Sequence, residues 1–160
     1  MSGPPKAGHT VTLYKAVYEE FEQNPIPSRS DKGRFHDEAA AGATGYLAAS
    51  PETAWSEVTH RWGGAKEAYR MAEVKVKIRV VADLTDPATR RHYHISEESL
   101  TADQYGPCQQ LRRRLEAEGV EGIWTYSRAD QPGGRVLVVL LAQLKKGSNV
   151  EVVRTGPINV

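Results

Sequence analysis

Residues 33–58 read GRFHDEAAAGATGYLAASPETAWSEV, and this stretch contains the clearest local signals for the fold. Its segment 45–49, GYLAA, is typical of a short strand. Ser50 and Pro51 follow at once and predict a helix start, with serine as the N-cap and proline in the first turn. The helix is predicted to run to about Trp62, because a Gly-Gly pair then stops it. The stretch therefore predicts a strand that leads directly into a helix.

Outward from this stretch, alternation and turn residues predict the other elements. In residues 74–81, VKVKIRVV, apolar and basic side chains alternate, which is typical of a half-buried strand. Further strands are predicted at 11–17, 122–126, 135–144 and 149–154, a second long helix at 107–118, and irregular structure at 18–44. About six strands and three or four helices that do not strictly alternate favour an α+β fold with a mixed sheet.

Length and composition limit the classes of protein. The chain has 160 residues, which predicts one domain, at 11–156, after a flexible tail at 1–10. The net charge of +1 gives no electrostatic argument for binding nucleic acid or an anionic membrane. Cys108 is the single cysteine, so a disulfide framework and a cysteine-rich zinc site are excluded, and no metal site is expected.

The chain shows no targeting or membrane signal. Its first ten residues, MSGPPKAGHT, contain no apolar segment of the kind found in signal peptides. The longest apolar run, residues 136–142, is far too short to span a bilayer and suits a buried strand. We therefore expect a soluble protein that acts in the cytosol.

Several residues with reactive or charged side chains are explained more simply by packing. Arg112–Arg114 is predicted to be the solvated face of the helix at 107–118. Cys108 lies on the apolar face of that helix and is predicted to be an inert core thiol. Trp55 and Trp62 are seven residues apart on the other helix and are predicted to lie in the core.

Glu57 is the candidate for chemistry. It lies at the edge of the apolar stripe of its helix, whereas most helical glutamates are fully solvated. Arg34, Tyr46 and Ser127 each lie at the edge of a predicted strand or in a glycine-flanked loop, where side chains project into clefts. The small residues around them permit a close approach of the backbone to a ligand.

These residues also carry a family resemblance. The segments GRF, GYLAASPETAWSEV and, about 70 residues further on, GVEGIWTYSR resemble the RES domain, the toxin of RES–Xre toxin–antitoxin pairs. TLYKAV is similar to the opening strand of that family, VVADLTDPATRRHYHIS to its middle segment, and YGPCQQLRRRLEAEGVEGI to the helix before its serine. The resemblance extends over nearly the whole chain.

The resemblance implies a fold and a set of site residues. The fold would be similar to that of ADP-ribosyltransferase toxins, with a split, mixed β-sheet and flanking helices. The family's arginine, tyrosine, glutamate and serine correspond to Arg34, Tyr46, Glu57 and Ser127. The opening strand has Lys15 where the family usually has arginine, which keeps the charge and loses the bidentate fork.

The activity that the resemblance implies is degradation of NAD⁺, with NAD⁺ as substrate, no cofactor, and phosphate as a possible co-substrate. Cleavage of the nicotinamide–ribose bond passes through an oxocarbenium-like state, which the carboxylate of Glu57 can stabilise. Arg34 can grip the pyrophosphate, and Lys15 can add a point charge. Tyr46 can stack on the nicotinamide or bond its ribose, and Ser127 can bond the amide or a phosphate.

Two other functions stay open on the residues alone. The same carboxylate could transfer ADP-ribose to a macromolecular acceptor, although Trp55 occupies the position where many arginine-directed transferases carry a second glutamate. The chain could also be a non-enzymatic module that binds a nucleotide or a partner, which the presence of all four site residues disfavours. The resemblance further implies a cognate Xre-like antitoxin or an immunity protein as partner.

Overall fold

The computed structural model describes residues 3–28, 33–37 and 44–160, and confirms the α+β fold with a mixed sheet. Part of the predicted irregular stretch at 18–44, namely 29–32 and 38–43, lies outside the described residues. In chain order the elements are β1 (Thr10–Tyr18), β2 (Thr44–Ala48), α1 (Pro51–Arg61), β3 (Tyr69–Lys77), β4 (Val81–Asp83), α2 (Pro87–Tyr93), α3 (Gly106–Ala117), β5 (Gly122–Tyr126), β6 (Arg135–Leu140) and β7 (Asn149–Gly156).

The strands that the structure describes form one seven-stranded sheet in the order β4-β5-β6-β2-β1-β3-β7. β4 and β5 are parallel, and the other neighbouring strands are antiparallel. β1 and β3 are in register along their whole length, whereas β1 and β2 share the single pair Tyr14 and Ala48. The sheet is therefore split into two halves, β4-β5-β6-β2 and β1-β3-β7, that meet at this pair.

The predicted strand at 74–81 is wrong in its bounds, because it spans the crossover between the two halves. β3 starts earlier, at Tyr69, and ends at Lys77, and β4 begins at Val81. Between them the N–H groups of Arg79 and Val80 donate to Glu121 Oε1 at 2.8 and 3.2 Å. The buried carboxylate of Glu121 thus accepts the hydrogen bonds that a neighbouring strand would otherwise accept, at the point where the chain passes from one half of the sheet to the other.

The apolar core lies on both faces of the sheet. On one face, side chains of β5 and β6 pack beneath α3, with Cys108 among the buried residues of this cluster. On the other face, Trp124, Leu137 and Val139 pack with residues of β1 and β3. Cys108 is confirmed as a core thiol, and burial raises its pKa.

Two expectations about burial are wrong. Trp62 is 58 % exposed, because it caps the C-terminus of α1, beyond the turns that pack on the sheet. Arg112 is 1 % exposed, because the face of α3 that carries it lies against residues 33–37 and the start of β2. Only the two following arginines of the run are solvated as predicted.

The ends of the strands differ slightly from expectation. β6 ends at Leu140, where its N–H donates to the carbonyl of Glu121, and residues 141–143 form a 3₁₀ turn. Before β1, the N–H of Gly8 donates to the carbonyl of Ile78 at 2.9 Å. The mobility of the tail at 1–10 stays a prediction. Within the described residues, no helix combines the length and the apolar character needed to cross a membrane.

Candidate functional site

A cavity of about 560 Å³ opens over one face of the sheet, at the junction of its two halves. On the side of the sheet it is lined by residues of five strands, β1, β2, β3, β5 and β6, among them Tyr14, Ala48, Val136 and Val138. α1 forms one wall, and the turn at residues 33–35 forms another. A concave, largely apolar space of this size is typical of a small-molecule site.

Glu57 reaches the cavity from α1, together with Ala54 and Val58 on the same face of the helix. The predicted helix start is confirmed, since Ser50 caps α1 by accepting a hydrogen bond from the N–H of Thr53 at 3.1 Å. Thr53 Oγ1 in turn donates to Asp130 Oδ2 at 2.6 Å. The first turn of α1 is therefore fixed to the loop after β5, and this fixes the helix that carries Glu57.

Residues 33–36 form a tight turn, closed by a hydrogen bond from the N–H of His36 to the carbonyl of Gly33 at 3.1 Å. The hydroxyl of Tyr46 accepts from the N–H of Phe35 at 3.1 Å. It also lies so close to Gly33 that a Cβ atom there would be 2.5 Å from it. A side chain at this position would force the turn or the Tyr46 ring to move, so the close approach of Tyr46 favours glycine here.

α3 holds the same turn from the other side. Gln109 Nε2 donates to the carbonyl of Gly33 at 3.1 Å, and Arg112 Nη1 donates to the carbonyl of Phe35 at 2.9 Å. The buried guanidinium of Arg112 also contacts Thr44 Oγ1 and the carboxylate of Glu116. A buried charge that is paired and hydrogen-bonded in this way holds the turn in a defined position.

Arg34, at the tip of the turn, lines the cavity. Its guanidinium carbon lies 4.6 Å from the centre of the Tyr105 ring, which is a cation–π contact. Its Nη1 donates to the carbonyl of Ser99 at 3.2 Å. Arg34 also lies near Cys108, and its charge opposes, without overcoming, the increase that burial causes in the pKa of that thiol.

Lys15 also borders the cavity, but strand alternation places it on the opposite face of β1 from Tyr14 and Ala16. Its ammonium donates to the carbonyl of Ile26 at 2.8 Å. In this position it fastens the segment after β1. A contact between Lys15 and a substrate phosphate stays a prediction.

Ser127, a predicted site residue, is not among the residues that line the cavity. Its neighbours Tyr126 and Arg128 do line it. Ser127 is 1 % exposed, and its Oγ accepts from the N–H of Asp130 at 3.2 Å. Its own N–H donates to the carbonyl of Gly134 at 3.0 Å. In this structure Ser127 shapes the loop whose Asp130 anchors α1, and a direct contact with substrate stays a prediction.

Sequence reasoning did not single out Arg128 or most of the aromatic lining. Arg128 lines the cavity and forms an ion pair with Asp103. Six of the seven tyrosines also line it, namely Tyr14, Tyr18, Tyr46, Tyr69, Tyr105 and Tyr126. Tyr46 was singled out from the sequence, and the spacing of Tyr14 and Tyr18 on one face of β1 was a signal for two more, whereas nothing local marks Tyr69, Tyr105 or Tyr126.

The aromatic side chains Tyr18, Trp55 and Tyr69 pack against each other. The rings of Tyr18 and Tyr69 stack with centres 4.6 Å apart, and Trp55 meets Tyr69 edge-on at 5.3 Å. Burial, with a hydrogen bond to Tyr18, raises the pKa of Tyr69 to about 12. Tyr69 therefore stays neutral at physiological pH and supplies packing rather than charge.

The arrangement suits a ligand with an anionic group and an aromatic group. Arg34 and Arg128 supply positive charge, the tyrosines supply ring faces, and Glu57 supplies one carboxylate. In the described ranges, no cluster of three or more histidine, cysteine, aspartate or glutamate side chains could hold a metal ion.

The fold and the cavity can now be compared with those of known protein families. The family model of the RES domain matches residues 12–159, and the chain belongs to the RES domain family. The resemblance seen in the sequence is thereby confirmed. The match also covers every residue placed in the candidate site above.

Among solved structures, the chain is similar to a chain in the crystal structure of the M. tuberculosis MbcT–MbcA toxin–antitoxin complex. The two chains superpose with a TM-score of 0.74 and are 20 % identical, and the match covers 94 % of this chain and 85 % of that chain. This likeness establishes a shared fold. No curated protein sequence matches the chain.

Proposed function

We propose that this RES domain is a toxin that degrades NAD⁺ by cleaving the nicotinamide–ribose bond, with water or phosphate as the acceptor. The observation that carries the proposal is that one cavity is lined by Arg34 of the 33–36 turn, Tyr46 of β2 and Glu57 of α1, three residues that lie on three different pieces of structure. The carboxylate of Glu57, beside cationic and aromatic groups, fits a cationic, aromatic leaving group on a diphosphate ester.

The residues would act in the following way. The electron pair of the nicotinamide–ribose bond moves to the ring nitrogen, so that neutral nicotinamide leaves without a general acid. The carboxylate of Glu57 stabilises the positive charge that develops on the ribose. Water or phosphate then adds to the ribose carbon, giving ADP-ribose with release of a proton, or ADP-ribose 1″-phosphate. Arg34 holds the diphosphate of the substrate.

The test replaces Glu57 by glutamine, which keeps the shape of the side chain and removes its charge. We expect Glu57→Gln to fold and to lose NAD⁺ cleavage by at least about a hundredfold, the scale of a lost electrostatic contact to the transition state. The matched control is Glu52→Gln, an exposed glutamate in the first turn of the same helix, which should keep wild-type activity. The readout is free nicotinamide and ADP-ribose, with and without phosphate.

Three results would lead to different conclusions. Cleavage at the wild-type rate by Glu57→Gln would remove Glu57 from the mechanism. Nicotinamide release that requires an added protein, with ADP-ribose attached to that protein, would favour transfer over hydrolysis. Soluble, folded wild-type protein that consumes no NAD⁺ would leave only a binding function.

The toxin role and its partner are supported by the shared fold with a chain of a toxin–antitoxin complex. We propose that a cognate antitoxin of the Xre type neutralises this chain in the cytosol. Expression of the wild type alone should lower total cellular NAD⁺ and stop growth, and Glu57→Gln at equal expression should do neither. A catalyst turning over about ten times per second depletes a cellular pool in minutes, whereas a binder removes only its own molar amount. Growth arrest with unchanged NAD⁺ would contradict the proposed activity.

A further inference from the structure

Two arginines of the cavity are held by one short segment, residues 99–105, which connects a 3₁₀ turn to α3. Ser99 and Tyr105 hold Arg34 through the carbonyl contact at 3.2 Å and the cation–π contact at 4.6 Å. Asp103 holds Arg128 through its carboxylate. Arg34 and Arg128 come from loops 94 positions apart in the numbering, yet this segment gathers both.

The two residues that contact the guanidinium groups, Asp103 and Tyr105, are close to each other in the segment. The Cα atoms of Asp103 and Tyr105 can be no more than about 7 Å apart, since each residue spans at most about 3.5 Å. One guanidinium contacts the carboxylate of Asp103, and the other stacks on the ring of Tyr105. Both arginines also line the same cavity.

We propose that the 99–105 segment presents Arg34 and Arg128 together as a binding site for a diphosphate group, and that Asp103 is an internal anion which the diphosphate displaces from Arg128. The proposal rests on the proposed function where it takes the diphosphate to be that of a dinucleotide. Its test measures binding, and does not depend on catalysis.

The exposure of the ion pair is what makes displacement reasonable. The side chain of Asp103 is 81 % exposed and that of Arg128 is 35 % exposed. An ion pair in contact with water contributes little stability, because both groups are well solvated when they separate. A diphosphate carries more charge than one carboxylate and can accept parallel hydrogen bonds from each guanidinium.

Tyr105 has a different part in the site, as a positioning residue. Its ring lies against the guanidinium of Arg34 and limits the directions in which that side chain can point. The backbone carbonyl of Ser99 accepts from Nη1 of Arg34, and a guanidinium carries several further N–H donors of the kind that a phosphate oxygen accepts. The segment therefore orders Arg34 before a ligand arrives, which lowers the entropy lost on binding.

The experiment measures the affinity for ADP-ribose by calorimetry, with adenosine as the probe that lacks phosphate. Arg128→Gln should weaken ADP-ribose binding by about tenfold or more, the scale of a lost charge-assisted hydrogen bond, and should not change adenosine binding. Asp103→Asn removes the competing anion and should strengthen ADP-ribose binding by about two- to fivefold. A gain in affinity cannot be the result of partial unfolding. The control is Arg113→Gln, an exposed arginine on α3, which should bind as the wild type does.

The positioning role is tested by a conservative pair. Tyr105→Leu removes the ring and should weaken ADP-ribose binding by about three- to fivefold, whereas Tyr105→Phe keeps the ring and should restore wild-type affinity. Unchanged affinity in Arg128→Gln overturns the diphosphate site, and unchanged or weaker affinity in Asp103→Asn overturns displacement. Equal affinities for Tyr105→Leu and wild type overturn the positioning role.

The two proposals fail separately. Wild-type protein that binds ADP-ribose through Arg128 but releases no nicotinamide from NAD⁺ would contradict the proposed function and support the diphosphate site. Wild-type protein that cleaves NAD⁺ while Arg128→Gln keeps its affinity for ADP-ribose would do the opposite.

Discussion

At the scale of single residues, the geometry of the site depends on Gly33, which has no side chain. Gly33 has no Cβ, and this allows the hydroxyl of Tyr46 to lie against the turn and to accept the N–H of Phe35 at 3.1 Å. Arg34 follows Gly33 directly and lines the cavity, where Ser99 and Tyr105 contact its guanidinium. The close approach of Tyr46 therefore explains why glycine precedes Arg34 in the sequence.

Gly33→Ala tests this cause. A Cβ atom would lie 2.5 Å from Tyr46 Oη, so the turn or the ring must move. We expect the free energy of unfolding to fall by about 1–3 kcal/mol, the usual cost of overpacking, and the KM for NAD⁺ to rise. Urea denaturation and steady-state kinetics measure the two effects. Gly156→Ala is the control, since nothing lies within 4 Å of a Cβ there. Equal stability and KM in Gly33→Ala and wild type would show that the close approach is unimportant.

At the scale of elements, α3 carries two neighbouring arginines in opposite environments, one buried and one exposed. Arg112 is buried and donates to the carbonyl of Phe35, whereas Arg113 is exposed. The charge of Arg112 is compensated by Glu116, four residues later on the same helix. α3 therefore supports the 33–36 turn of the cavity wall, and its contribution to the site comes through the backbone of that turn.

Arg112→Met and Arg113→Met should differ strongly in stability. The first leaves the carbonyl of Phe35 and the carboxylate of Glu116 without their buried partner, and should cost about 3–5 kcal/mol. The second changes a solvated side chain and should stay within about 0.5 kcal/mol of the wild type. Thermal and urea unfolding of the two variants, side by side, measure the difference. A loss of the same size in both variants would indicate a property of the helix surface and would exclude the buried contact as the cause.

At the scale of the whole molecule, Glu121 joins the two halves of the sheet. Its carboxylate accepts from the N–H groups of Arg79 and Val80, and also from that of Lys145 at 2.8 Å. Burial by itself would raise the pKa of Glu121, but these donors outweigh burial and hold the pKa below its ordinary value. The charged form of Glu121 is therefore favoured by folding.

This shift predicts a pH-dependent contribution to stability. Because the pKa is lower in the folded state, the stabilisation is fully present above the unfolded-state pKa of about 4.3 and is lost as the pH falls through the folded-state value. Glu121→Gln should cost about 2–3 kcal/mol at pH 7, and the gap to wild type should narrow as the pH falls below about 4. Urea denaturation at several pH values measures this, with the exposed Glu151→Gln as control. A gap that is constant with pH would contradict the role of the carboxylate charge.

Local sequence patterns determined most of the secondary structure and the family assignment. The period of the apolar residues predicted most strands, and the Ser50–Pro51 pair predicted the start of α1, because both signals act within a few residues of the backbone. The order and spacing of the motifs also predicted the family, and with it the candidates Arg34, Tyr46 and Glu57, which line one cavity.

Only the tertiary structure decided which face of an element is buried and which neighbours a side chain meets. Arg112 is buried because its guanidinium donates to a turn 77 positions away in sequence, and Trp62 is exposed because it lies at the C-cap of α1, at the end of the helix. Ser127 bonds the loop beside it, and Arg128 joins Arg34 through residues 99–105. These outcomes depend on the packing of distant segments, and the period of a single helix or strand carries no information about them.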